Sequence, residues 1–216
     1  MKNFNKQQLK WLSSFGKNYT DRTKKISIKN FEQKYIEKYG ITKSKINGKF
    51  YKYFKKSDIF FEPGCNIGSQ LALLKKSGFK NLFGMDIQVN AINIGKKIRP
   101  YIKFTKGTSD NIPFNSNHFD ITITNDFLIH LNKENLIKTI NEIYRVTNKY
   151  VWCFEYYSNK RAMLNYRGNK NLMWKDNFKK YFPKKKFKLI KTVKIPYIDI
   201  KEKNNVDEMF LLKIIK

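Results

Sequence analysis

Cysteine, arginine and acidic residues are scarce in this 216-residue chain, and long apolar runs are missing. Two cysteines, Cys65 and Cys153, supply neither a disulfide framework nor a metal cluster, so no metal site is expected and a reducing, cytoplasmic setting is. No stretch approaches the roughly 18 apolar residues of a membrane span. The opening MKNFNKQQLKWLSSFG lacks the continuous apolar segment of a secretory signal. Acids number 17 against 45 Lys+Arg, a formal charge of +28, yet only five of those bases are arginine. Arginine grips phosphate and guanine with a planar fork, whereas lysine is a point charge. The lysines keep company with many Asn and Ile, as an A/T-rich coding sequence would produce. The charge therefore ranks partners only weakly, and leaves a small anionic substrate, a nucleotide-linked one and RNA or DNA open.

What is present argues for a packed α/β domain. Hydrophobic residues make up 41% of the chain and aromatics 16%, too many for a disordered chain. Residues 1–57 are polar and lysine-rich, with Phe31, Tyr35 and Tyr39 on one helical face, which predicts two or three helices forming an N-terminal cap or lid. The pattern changes at Asp58. Strands are expected at Ile59–Phe61, Leu82–Asp86, Tyr101–Thr105, Asp120–Thr124 and Lys149–Glu155, with helices after the first, second and fourth. The tail adds a helix near Asp176–Tyr181 and strands at Lys186–Lys194 and Glu208–Ile215. The last two strands lie too close for a helical crossover and must pair antiparallel. The expectation is an α/β, doubly wound, mostly parallel seven-stranded sheet over residues 58–216, with an antiparallel C-terminal hairpin.

In such a sheet ligands bind beyond the carboxyl ends of the strands, at the switch point beside strand one. Glu62-Pro63-Gly64-Cys65-Asn66-Ile67-Gly68 stands there. A dinucleotide site would carry glycine where Asn66 stands, and Glu62 would repel a diphosphate. An acid there suits a ligand with a cationic amino-acid end. Asp86, closing strand two, can accept both hydroxyls of a ribose. Gly107-Thr108-Ser109-Asp110-Asn111-Ile112-Pro113-Phe114 follows strand three.

These segments resemble the motifs of Rossmann-like class I methyltransferases dependent on S-adenosyl-L-methionine (SAM). The resemblance implies SAM as cofactor, S-adenosyl-L-homocysteine (SAH) as product, and cofactor contacts at Glu62, Gly64, Cys65, Asn66, Gly68, Asp86, Ile87, Thr108, Ser109 and Asn125. Thr108 departs from the pattern, since many relatives carry an aspartate there. Further matches run along nearly the whole chain: Trp11, Phe15-Gly16, Tyr19-Thr20-Asp21-Arg22, Leu128-Ile129-His130, Glu142-Ile143-Tyr144-Arg145, Glu155-Tyr156-Tyr157, Asn165-Tyr166-Arg167-Gly168 and Trp174-Lys175-Asp176. These are similar to the family of pseudaminic acid biosynthesis-associated methylases, which implies a small, acidic or sugar-derived acceptor. Tyr19 and Arg22 are expected to fold over the cofactor, with Arg22 on its carboxylate. His130 is the expected general base and Glu155 the second choice, with Tyr156, Tyr157, Tyr166 and Arg167 lining the acceptor pocket. O-methylation is favoured over N-methylation. An RNA or DNA methyltransferase and a non-catalytic SAM-fold subunit are the rival readings.

Overall fold

The computed structural model describes residues 4–216. Four α-helices precede the sheet: α1 (Lys6–Leu12), α2 (Ser14–Thr23), α3 (Ile28–Tyr39) and α4 (Lys43–Gly48). That is more than the two or three expected, because polar caps split the segment. Asn5 and Gln8 form a reciprocal capping box on α1, and Ser13, Ser27 and Thr42 cap the next three. Gly40, at φ 71°, stops α3 in a left-handed turn.

The alternating units follow: β1 (Ile59–Pro63), α5 (Ser69–Lys76), β2 (Asn81–Asp86), α6 (Val89–Ile98), β3 (Lys103–Lys106), β4 (Phe119–Asn125), α7 (Lys133–Val146) and β5 (Thr147–Tyr157). The tail contributes β6 (Ala162–Tyr166), β7 (Asn169–Lys175), β8 (Phe187–Pro196) and β9 (Val206–Ile214). Seven strands form one sheet in the order β3-β2-β1-β4-β5-β9-β8. The first five run parallel, while β9 lies antiparallel between β5 and β8, as the short tail connections require. The order reverses between β1 and β4, which sets the switch point at the Glu62–Gly68 loop.

Two features depart from the sequence reading. The helix expected near Asp176–Tyr181 is a short 3-10 turn over Phe178–Tyr181. The long connection after β5 is a separate two-stranded sheet, β6–β7, closed by Arg167-Gly168 with φ of 52° and 76°. Two consecutive left-handed residues are the geometry of a tight hairpin turn.

Side chains alternate across the sheet and bury both faces. Phe60, Trp152 and Phe154 meet Tyr35, Tyr39, Phe50 and Phe54 from the N-terminal segment. Phe61, one residue on, faces the other way and stacks on Phe119 at 4.3 Å. Beyond it Leu136, Ile140 and Ile143 of α7 cover Val151, Cys153 and Phe210. Each such fully buried side chain contributes roughly 1.5–3 kcal/mol. Thus α3 and α4 belong to the core, whereas α1 and α2 extend over the carboxyl end of the sheet.

Candidate active site

The loop after β1 turns sharply, with Gly64, Asn66 and Gly68 at φ 68°, 48° and 78°. These turns aim backbone N–H groups at β2. Cys65 donates to the Met85 carbonyl at 3.0 Å, and Asn66 to Asp86 Oδ2 at 2.8 Å. Gln88 N–H donates to Asp86 Oδ1 at 2.9 Å. Burial raises the Asp86 pKa, and these N–H bonds oppose the rise. Each carboxylate oxygen keeps a lone pair for a ligand hydroxyl. Asn66 also reaches into the cap: its Nδ2 donates to Thr20 Oγ1 at 2.8 Å, and Thr23 donates to its Oδ1 at 2.9 Å.

A cavity opens above this loop. Its floor is Gly64, Asn66, Asp86, Ile87, Asn125 and Asp126, and its far wall Gly107–Asp110. Gln7, Gln8, Trp11 and Tyr19 of α1–α2 form the roof. Gln8 Nε2 reaches Asp110 at 3.1 Å, while Gln7 bridges Asn171 O at 3.3 Å and the Asn132 N–H at 3.2 Å. Trp11 packs edge-on to His130 at 5.0 Å, and Phe15 meets Tyr166 at 6.2 Å. The tip of the β6–β7 hairpin therefore packs against the roof helices and His130, beside the cavity. Arg161 and Asp176 anchor its base through Leu131 O at 2.9 Å and Tyr181 at 2.7 Å. Arg145 and Glu142 of α7, paired at 2.7 Å, hold the Ile112–Phe114 segment by three bonds of 2.7–2.8 Å.

The expected site residues divide. Tyr19, Gly64, Asn66, Asp86, Ile87, Thr108, Ser109, Asn125 and His130 line the cavity. Burial raises the Tyr19 pKa, keeping its hydroxyl neutral. The Ser109 hydroxyl is shared with Thr139 at 2.7 Å. His130, in a 3-10 turn after β4, has Nδ1 2.8 Å from Leu172 O. A carbonyl there requires the proton on Nδ1 and leaves the Nε2 lone pair free. Burial lowers its pKa to about 4.

Other residues stand elsewhere, for physical reasons. Glu155 is buried behind the β4 loop, accepting from the N–H groups of Phe127 at 3.1 Å and Ile129 at 3.3 Å. Burial, then the neighbouring Asp126 charge, raises its pKa to about 8, so it braces the loop as a largely protonated acid rather than meeting a ligand. Glu62 is also buried off the cavity, its pKa raised to about 8 by burial, with Oε2 unpartnered. Cys65 points inward, filling the space left by Gly84. The glycines make room for protein: a Cβ on Gly64 would overlap the Phe127 ring, and one on Gly68 would lie 2.9 Å from Phe104. Tyr156 stacks on Tyr197 at 5.9 Å, and Tyr157 bonds Asn159, so neither lines the cavity. Tyr166 contacts the site through the His130 ring at 5.1 Å. Arg167 is exposed at the hairpin tip, its guanidinium 5.7 Å from the Tyr166 ring. Arg22 is exposed, 5.9 Å from the Tyr19 ring and outside the cavity.

Sequence reasoning missed Gln7, Gln8 and Asp126. Asn125 and Asp126 directly follow a recognisable strand, and proximity to that carboxyl end was the available signal for the second as for the first. The donor set fits a sulfonium nucleoside with an amino-acid end. Asp86 is presented for a ribose, Thr108 and the segment after β3 face the same space, and Asn125 Oδ1 is buried with no partner.

Residues 61–154 match the family model described as a methyltransferase domain. No protein of curated function gives a significant match. Among solved structures, a protein from Pyrococcus horikoshii superposes with a TM-score of 0.69 at 15% identity, over 92% of this chain and 99% of that one. A SAM-dependent methyltransferase from Methanosarcina mazei gives 0.64 at 14% identity, over 76% and 95%. Geranyl diphosphate C-methyltransferase from Streptomyces coelicolor, solved with Mg2+, geranyl diphosphate and SAH, gives 0.66 at 8% identity, over 80% and 78%. At these identities the likeness establishes the fold. Residues 61–154 thus match a methyltransferase domain, and they sit in a fold that the chain shares with SAM-dependent methyltransferases.

Proposed function

We propose that this enzyme methylates a hydroxyl of a small, sugar-sized acceptor, with His130 Nε2 taking the proton. The observation that carries the reading is the setting of His130. Its ring is held between Trp11 and Tyr166, its Nδ1 is tied to Leu172, and the residue lines a cavity roofed by α1 and α2. The cofactor supplies an electrophilic methyl group on a good leaving group, so alignment and exclusion of water provide much of the rate. Asp86 orients the ribose end, and Gly64 with Asn66 shapes the floor. Trp11 and Tyr166 keep the imidazole fixed, and Nε2 remains unprotonated at any pH well above about 4.

An acidic group on the acceptor would be met by Arg167 at the hairpin tip, because no lysine or arginine among the described residues lines the cavity. A pseudaminic-type, acidic sugar is consistent with that placement, with its charge held outside and its hydroxyl inside. Within residues 1–57 the lid role falls to α1 and α2, since α3 and α4 are packed into the core. The experiment is incubation with SAM and a panel of acidic sugars, nucleotide sugars and RNAs, followed by mass spectrometry. A one-methylene mass gain on a sugar hydroxyl is expected. Methylation of RNA alone would overturn the reading.

A further inference from the structure

The β6–β7 ribbon is irregular beside the site. Leu164 pairs with Met173 and Tyr166 with Asn169, so one residue of β6 faces three of β7: Lys170, Asn171 and Leu172. Asn171 takes up the slack at φ 60°, a left-handed conformation that asparagine tolerates better than most side chains. A bulge of this kind interrupts the ladder and re-aims the groups within it. Two successive β7 carbonyls accordingly bond outside the ribbon. Asn171 O accepts from Gln7 Nε2 of α1 at 3.3 Å, and Leu172 O accepts from His130 Nδ1 at 2.8 Å.

A second tie closes the circuit. The chain leaves the His130 turn at Leu131, whose carbonyl accepts from Arg161 Nη2 at 2.9 Å. The same guanidinium reaches Asp176 Oδ2 through Nη1 at 3.4 Å and lies 4.9 Å from the centroid of Trp174 on β7. Asp176 is itself held firmly. Its side chain is fully buried, Lys180 and Tyr181 donate to it at 2.5 and 2.7 Å, and its N–H donates to Tyr156 O of β5 at 3.1 Å. A guanidinium presents its donors in a rigid fork, so two bonds fix its plane and with it the Leu131 carbonyl. His130 thus stands in a closed ring of contacts, from Leu131 through Arg161 and Asp176 to β7 and back through Leu172. A carbonyl only accepts, so the placement of Leu172 O decides which imidazole nitrogen bears the proton.

We propose that Arg161, Asp176 and the left-handed Asn171 are positioning residues, which together place the Leu172 carbonyl so that His130 keeps its proton on Nδ1 and its Nε2 lone pair free. The proposal rests on His130 being the base and names what holds that base in its working form.

Nitrogen-15 NMR of the full chain tests it without an acceptor. The chain has two histidines, and His118, packed against Phe83 and Phe119 at the other end of β4, is the internal control. In the unmodified protein the His130 ring should show a protonated Nδ1, a bare Nε2 and a protonation midpoint of about 4. Arg161→Met removes both guanidinium bonds. Asn171→Val alters an exposed side chain but disfavours the left-handed backbone, whereas Asn171→Gly retains it. Arg161→Met and Asn171→Val should each give a mixture of tautomers and move the midpoint up toward the ordinary 6.5, as the ring gains rotation and water. Asn171→Gly should match the unmodified protein, and His118 should keep its shifts throughout. A His130 ring that holds its tautomer and midpoint in both Arg161→Met and Asn171→Val overturns the proposal. So does a change shared equally by His118, which marks general loosening, or an unprotonated Nδ1 in the unmodified protein. If Arg161→Met does not fold, the contrast between Asn171→Val and Asn171→Gly decides alone. Full kcat in His130→Ala would end the base assignment and leave the tautomer result standing, so the two fail separately.

Discussion

The outer surface and the cavity of this molecule are built from opposite chemistries. Outside, a chain of +28 formal charge displays lysine on every α-helix, on α4 through Lys45, and on most of the C-terminal strands. Inside, the described residues of the lining include Asp86, Asp110 and Asp126 with five aromatic rings from Trp11, Tyr19, Phe31, Tyr35 and Phe127, and among them no lysine or arginine. Net charge therefore describes solubility and long-range fields, while the ligand meets a local set of opposite sign. A cationic cofactor fits the inner set, and the lysine coat contributes little to holding it.

That contrast can be broken from either side. The largest effect is expected at His130: His130→Ala should lower kcat by roughly 10²–10⁴ in steady-state assays, and a loss under tenfold would remove it as the base. Next is Asp86→Asn, which should weaken SAM by roughly 10- to 100-fold in calorimetry through the ribose contact; unchanged affinity would put the ribose elsewhere. Glu155→Gln probes the acid behind the lining. Glu155 releases its proton near pH 4.5 when unfolded but only at about 8 when folded. The native state thus binds more protons between those values, and stability falls as pH rises through that window, by up to about 1.4 kcal/mol per pH unit. The neutral glutamine variant should lack this slope, so urea midpoints of the two proteins should diverge from pH 5 to pH 8. Parallel curves would show that Glu155 is ionised throughout. The smallest effect is expected outside: replacing exposed Lys80, Lys184 and Lys185 by Gln should change SAM affinity by less than about twofold at physiological salt, where screening acts over about 8 Å. A larger loss would give the lysine coat a role in binding.

The parallel half of the sheet was legible because its signals are local. Strand one, its glycine turn and the acid closing strand two are short patterns whose geometry is almost fixed, and Asp86 and Asn66 stand where the pattern puts them. The C-terminal side of the site was less legible. Glu155, Tyr156 and Tyr157 stand at a strand end, but what each faces depends on neighbours distant in sequence: the amides of residues 127 and 129, the ring of Tyr197 and the side chain of Asn159. The β6–β7 hairpin escaped notice because Arg167-Gly168 is a weaker turn signal than Asn-Gly and its strands are partly exposed. Lys43, fully buried in α4, was invisible among so many lysines, since nothing in its sequence neighbourhood marks it as such.

Asn66 carries a thermodynamic consequence. One residue joins the Asp86 carboxylate, through its N–H, to two threonines of α2, through its side chain. Any ligand that repositions Asp86 therefore perturbs the attachment of α2 as well. Reciprocity then requires that docking of the helix changes the ligand's affinity by the same free energy, and in the same direction, as the ligand changes docking.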